Sequence, residues 1–131
     1  MYNLLNLERT NIFVLFVSQH QLRAPEEIIN APLTEKIDVY SVGNVFYSIL
    51  TGLLVNRNCD ISKAHYRVSR GKTEPLSMDY FESRSAAEFA LAKAIQWCWT
   101  FDFSDRPSIF EVVEFLENEV KNNSNPGKIS D

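Results

Sequence analysis

Glu26 and Glu27 stand side by side near the start of the chain, and Asp102, Asp105 and Arg106 gather near its end. Adjacent carboxylates can divide acid and base work when a pocket pushes their proton affinities apart. No pocket signature accompanies Glu26-Glu27. Cysteine and histidine offer little more. Cys59 and Cys98 lack the paired CxxC spacing, and two Cys with two His are too few and too scattered for a structural zinc site. They read as two reduced thiols. His20 and His65 belong to no HExxH pair and no Ser-His-Asp set, so hydrolase chemistry has no support. Only four Gly occur, and none builds the GxGxxG loop that cradles phosphates. No catalytic residue can be named from this inventory.

The elements that would position these residues are helical. Pro25 opens a short helix through Glu26, Glu27 and Ile28, because its missing N–H is an orphan at that position anyway. Asn30-Ala31-Pro32 ends it. A long helix runs from about Asp38 to Thr51, with Val39, Val42, Phe46, Ile49 and Leu50 on one broad face. Tyr40, Val45 and Tyr47 make its other sides apolar, which predicts a central, buried rod. Gly52 suits a left-handed cap. Residues 54–84 read as irregular except for a short helix at Ile61 to Ser69, stopped by Gly71. Ser85 with Glu88, and Ser108 with Glu111, fit capping boxes for two further helices, to about Trp99 and from Pro107 to Lys121. Their core stripes are Ala87, Leu91, Ala94, Ile95, Cys98 and Ile109, Val112, Val113, Leu116, Val120. Trp99, Tyr40 and Phe46 read as core aromatics. The fold class is therefore all-α.

Composition bounds the rest. The 131 residues suit one domain, with 45% hydrophobic and 23% charged side chains. A net charge of −4 without a basic block argues against nucleic acid as a partner. The run Ile12 to Val17 is far shorter than the roughly 20 residues of a membrane span and lacks a basic leader, so a cytoplasmic protein without membrane association is expected. Asn122-Asn123-Ser124 fits a glycosylation sequon, idle without secretion. Three segments result: an unmatched stretch at 1–20, a helical region at 21–121, and a polar tail at 122–131 expected to be disordered.

Three ordered blocks in the helical region resemble the eukaryotic-type protein kinase family, in its helical C-terminal lobe. Ala24-Pro25-Glu26 matches the motif that closes the activation segment. Asp38, Tyr40 and Gly43 match the opening of the lobe's central helix, and Leu50-Thr51-Gly52 its end. Cys98-Trp99, Asp102 and Arg106-Pro107-Ser108 match the last block. The likeness runs from about Leu22 to Glu119. It implies that Glu26 binds Arg106, a planar guanidinium gripping a carboxylate through two parallel hydrogen bonds. It gives Glu26, Arg106, Asp38, Gly43 and Trp99 structural roles. In the family Asp38 would be buried against the catalytic loop; without that loop it should be re-exposed or poorly satisfied.

The family's activity is transfer of the ATP γ-phosphoryl group to protein hydroxyls, with ATP and Mg as cofactors. The glycine-rich loop, the strand lysine, and the HRD and DFG motifs are absent from this sequence. Asp102-Phe103-Ser104 imitates DFG in composition but follows the Ala-Pro-Glu motif instead of preceding it. Gln19, His20, Gln21 and Leu22 depart from the pattern where a peptide substrate would pass, which hides any Ser/Thr or Tyr preference. The resemblance thus implies a partial, pseudokinase-like domain, catalytically inactive alone and holding no cofactor. The change of character at 1–20 is what a truncated gene model would produce. The alternative is a non-catalytic interaction module that meets a protein substrate or regulator through Ile61 to Val68.

Overall fold

A computed structural model describes residues 23–123. Six helices and no strands occur among the described residues: α1 Pro25–Ile28, α2 Lys36–Thr51, α3 Ile61–Ser69, α4 Met78–Phe81, α5 Ala86–Cys98 and α6 Ile109–Asn123. The segment 1–20 and most of the tail lie outside the described residues. The tail begins later than the sequence predicts, because α6 continues through Asn122 and Asn123, where the Asn123 side-chain amide donates to the Glu119 carbonyl.

Local chemistry sets the helix ends. In α1 the Glu27 carboxylate accepts the Ala24 N–H at 2.8 Å, satisfying one orphan donor of the first turn. Asn30 then adopts φ 56°, a left-handed conformation that Asn tolerates, and the chain turns away. Helix α2 starts two residues earlier than its apolar pattern, since Thr34 Oγ1 accepts the Lys36 N–H. It stops at Gly52, whose φ of 73° places its N–H on the Ser48 carbonyl. Asp60 caps α3 by accepting the Lys63 N–H at 2.7 Å.

Ser108 and Glu111 form the reciprocal box, at 2.7 and 3.2 Å. Ser85 and Glu88 do not. Ser85 Oγ accepts the Glu88 N–H, but the Glu88 carboxylate accepts from the Ser83 hydroxyl, and Ser83 Oγ accepts the Ser85 N–H. The intervening hydroxyl takes the place of the direct return bond. Helix α4 interrupts the stretch read as irregular; Ser77 caps it through the Asp79 N–H.

Helix α2 packs against α5, and α5 against α6. One apolar cluster joins Ala24, Tyr40, Tyr47, Val55, Val68, Ile95 and Trp99. A second joins Val39, Cys98 and Val112, and Phe46 lies against both. The α2 rod is not covered on every side: Val45, Ile49 and Leu53 are exposed, Ile49 by 65%. The buried face of α5 is Ala90, Ala92, Ala94, Ile95 and Cys98, so Ala87 falls outside it and Leu91 is half-buried. On α6 only Val112 is buried, while Ile109, Val113 and Val120 face outward. Periodicity reports which faces are apolar, not which of two apolar faces meets a neighbour. Among the described residues, α2 and α6 each carry more apolar surface than their neighbours cover.

Candidate functional site

Arg106 is the most thoroughly bonded side chain of the fold. The loop after α5 delivers it, and Pro107 and Ser108 follow at the entry to α6. Its Nη1 donates to Glu26 Oε1 at 2.5 Å and to the Lys36 carbonyl at 2.7 Å. Its Nη2 donates to Glu26 Oε2 at 3.0 Å and to the Phe101 carbonyl at 3.2 Å. Its Nε donates to the Thr100 carbonyl at 2.9 Å. A guanidinium has five N–H donors in a fixed fork, and these bonds use all five. The Tyr40 ring lies beneath, with the guanidinium carbon 5.0 Å from its centroid. Lys36 closes the arrangement from the other side, its ammonium donating to the Arg106 carbonyl.

Both partners of this clasp are buried, Arg106 at 1% exposure and Glu26 at 2%. Burial of two opposite charges is tolerable only when each is paired and its remaining donors are satisfied. That condition holds here. Burial also acts on the neighbours. It pushes the Tyr40 phenol up to about 12, against the opposing pull of the Arg106 charge. It pushes the Cys98 thiol up to about 11 in the same way. Neither group ionises near neutral pH.

Gly43 and Trp99 meet at the crossing of α2 and α5. A Cβ on Gly43 would lie 2.9 Å from Cys98 Cβ and 2.9 Å from Trp99 Cδ1. Only a hydrogen in place of a side chain lets the helices approach so closely. The Trp99 indole N–H donates to Asn44 Oδ1 at 2.9 Å, and its ring centroid lies 5.6 Å from that of Tyr47. Asp38 stands apart from this cluster, in the first turn of α2 with its side chain exposed. The site residues singled out in the sequence thus fall in three places: Glu26 with Arg106, Gly43 with Trp99, and Asp38 alone.

Three contributors escape the sequence reading. Tyr40 is legible as a core aromatic but not as the platform for Arg106. Lys36 carries no motif signal at all. Asn44 does offer one, as the only amide side chain of α2, set between Gly43 and Val45, where a buried polar group must find a partner.

Nothing in the clasp has a free nucleophile or base. Asp102, the DFG imitation, shapes the loop between α5 and α6. Its Oδ1 accepts the Ser104 hydroxyl at 2.6 Å and the Ser104 N–H at 2.9 Å, and these bonds hold its carboxyl below the usual carboxylate range. Among the described residues, no group of three or more His, Cys, Asp or Glu could hold a metal ion. A recess of about 410 Å³ between α5 and α6 is lined mainly by apolar side chains such as Ala90, Leu91, Leu116 and Val120. The Gln19 to Leu22 segment lies outside the described residues. No helix among the described residues is long and apolar enough to cross a membrane.

No protein-family model matches the chain. Curated relatives do. The serine/threonine/tyrosine-protein kinase HT1 of Arabidopsis thaliana is 33% identical over 94 residues, covering 72% of this chain and 23% of the relative. The seven transmembrane domain-containing tyrosine-protein kinase 1 of Dictyostelium discoideum is 33% identical over 101 residues, covering 75% of this chain and 14% of the relative. The dual specificity protein kinase pyk3 of the same organism is 31% identical over 105 residues, covering 77% and 7%. The chain therefore spans less than a quarter of the length of these relatives. The all-α architecture of the described residues agrees with a kinase-like fold. With the Glu26–Arg106 clasp joining the first helix to the last loop, the conclusion is that the chain belongs to the protein kinase family.

Proposed function

We propose that the chain is the C-terminal lobe portion of a protein kinase domain, from the Ala-Pro-Glu motif onward, and is catalytically inactive by itself. The observation that carries this reading is the buried clasp between Glu26 and Arg106. It ties the end of an activation segment to the last helices, as the resemblance implies. Phosphoryl transfer also needs positioned phosphates, a metal site and an oriented nucleophile. The sequence carries no motif for any of them. ATP and Mg belong to the parent reaction, and this chain alone binds neither. The relatives' names span serine/threonine/tyrosine, tyrosine and dual specificity, so they favour no acceptor hydroxyl. The test is a radiolabelled phosphate-transfer assay on the purified chain with magnesium and ATP. Incorporation at the level of buffer is expected, together with no thermal shift on adding the nucleotide. Turnover above background refutes the reading.

A second reading makes the chain a non-catalytic interaction module. An exposed aromatic on α3 favours it: Tyr66 is 62% exposed, while Ala64 and Val68 anchor the opposite face. Peptides selected on the immobilised full chain should lose binding when Tyr66→Ala or Arg67→Ala is introduced. Selected peptides that ignore both substitutions count against α3 as the surface.

A further inference from the structure

Five of the 13 Lys and Arg residues fall between Arg57 and Lys72, with only one of the 17 acids, Asp60. The whole chain is negative, so this is a local reversal of charge. That acid is engaged, its carboxylate accepting the Lys63 N–H at the head of α3, and Glu74 just beyond the stretch is engaged too, accepting the Asn56 N–H at 2.7 Å. Arg57, Lys63, Arg70 and Lys72 are all exposed, and the one ion pair among the described residues is the distant Glu26–Arg106. Arg67 differs from them. It is half-buried, with its guanidinium on the Cys59 sulfur.

Helical spacing puts Lys63, Tyr66 and Arg70 on one outer face of α3. The Arg70 guanidinium lies over the Tyr66 ring, 5.1 Å from its centroid. The face is therefore cationic at both ends with an aromatic between. Helix stability accounts for Arg70, because a cation near a C-terminus is favoured by the macrodipole. It does not account for Lys63. That residue is the third of the helix, where an acid would complete a capping box with Asp60 and suit the positive end of the dipole. A lysine there works against α3.

We propose that this face of α3, with Arg57 before it and Lys72 after it, docks an acidic peptide segment of a partner protein. The inference rests on the interaction-module reading and names the chemistry of its partner. Charge complementarity steers such a segment, and the Tyr66 ring, exposed between the two cations, receives an apolar side chain carried between its acids. A nucleic acid fits less well, since four exposed cations confined to residues 57–72 are few for a long polyanion.

The test uses the full chain and a fluorescein-labelled peptide of eight glutamates flanking one leucine, read by anisotropy at 50 and 200 mM salt. Saturable binding that weakens at the higher salt is expected. Lys63→Glu should weaken it at least tenfold while raising the melting temperature, because the new acid completes the α3 cap. That pairing separates lost contact from lost fold. Lys93→Glu and Lys121→Glu, on α5 and α6, should leave binding unchanged. Equal loss from those controls, or no loss from Lys63→Glu, overturns the proposal. So does tighter binding of single-stranded DNA or anionic vesicles than of the peptide. If selected peptides depend on Tyr66 but are not acidic, the module reading stands and this inference falls.

Discussion

Glu26→Ala is the substitution to which the fold should be most sensitive. Removing the carboxylate strips acceptors from both Nη1 and Nη2 of Arg106, at 2.5 and 3.0 Å, and leaves a cation at 1% exposure. The backbone carbonyls of Lys36, Thr100 and Phe101 still hold three of its donors, but they carry no net charge. Breaking one side of a buried pair costs about 3–5 kcal/mol. A domain of this size has about 5–15 kcal/mol in total. With an m-value of about 1–1.5 kcal/mol/M in urea, the midpoint falls by about 2–5 M. Tryptophan fluorescence reads it, since Trp99 lies in the adjoining core.

Two companions sharpen the argument. Glu26→Gln keeps the shape but turns an amide donor toward one Nη, so it should lose nearly as much. Arg106→Lys keeps the charge but cannot fork, and it abandons most of the five bonds. A loss below about 1 kcal/mol for Glu26→Ala is the behaviour of an exposed ion pair and would refute the account of the clasp.

Gly43→Ala sets a crowded Cβ 2.9 Å from Cys98 Cβ and Trp99 Cδ1. Overpacking costs about 1–3 kcal/mol, opposed by roughly 1 kcal/mol of better helix propensity. Calorimetry should show a lower melting temperature, and a rise would mean that α2 and α5 can separate freely. Asn44→Ala leaves the Trp99 indole N–H without the acceptor seen at 2.9 Å, at a cost of about 1–3 kcal/mol. The same change in a Trp99→Phe background should cost less, because no indole N–H remains; equal losses in urea titrations would refute the pairing. The Cys98 thiol is raised from its ordinary 9.0 to about 11, so the folded chain keeps a proton that the unfolded chain releases. Its effect is nil below pH 9.0, and stability falls from there towards about pH 11, by about 2–3 kcal/mol. Tyr40, raised from 10.0 to about 12, extends the decline. Cys98→Ala should flatten the first part of a stability-against-pH curve, and an unchanged slope would exclude the thiol as its source.

Helix positions were legible wherever a cap or stop residue accompanied an apolar repeat. Ile61 to Ser69 is bounded by Asp60 and Gly71, and Ser108 with Glu111 opens α6. Helix α4 was not legible, since four residues give no period to read. The facing of α2, α5 and α6 was only half legible. Val45, Ile49, Val113 and Val120 are as apolar as the buried positions, and composition does not record what stands opposite. Within the clasp, Glu26 and Arg106 were legible because short flanking motifs mark them. Lys36 acts through a backbone carbonyl and Tyr40 through its ring face, and neither contact leaves a spacing rule behind.

The salt bridge at the centre of the fold spans 80 positions of the polypeptide. A four-residue helix has little stability of its own, and although α1 packs against α3, its buried ion pair forms only when Arg106 is available. On a ribosome adding about 5–20 residues per second, that interval is about 4–16 s. Throughout it Glu26 lacks the guanidinium that pairs with it in the fold. The nascent chain therefore passes through a window in which the Glu26 carboxylate is made but unpaired, and it closes only when Arg106 is added.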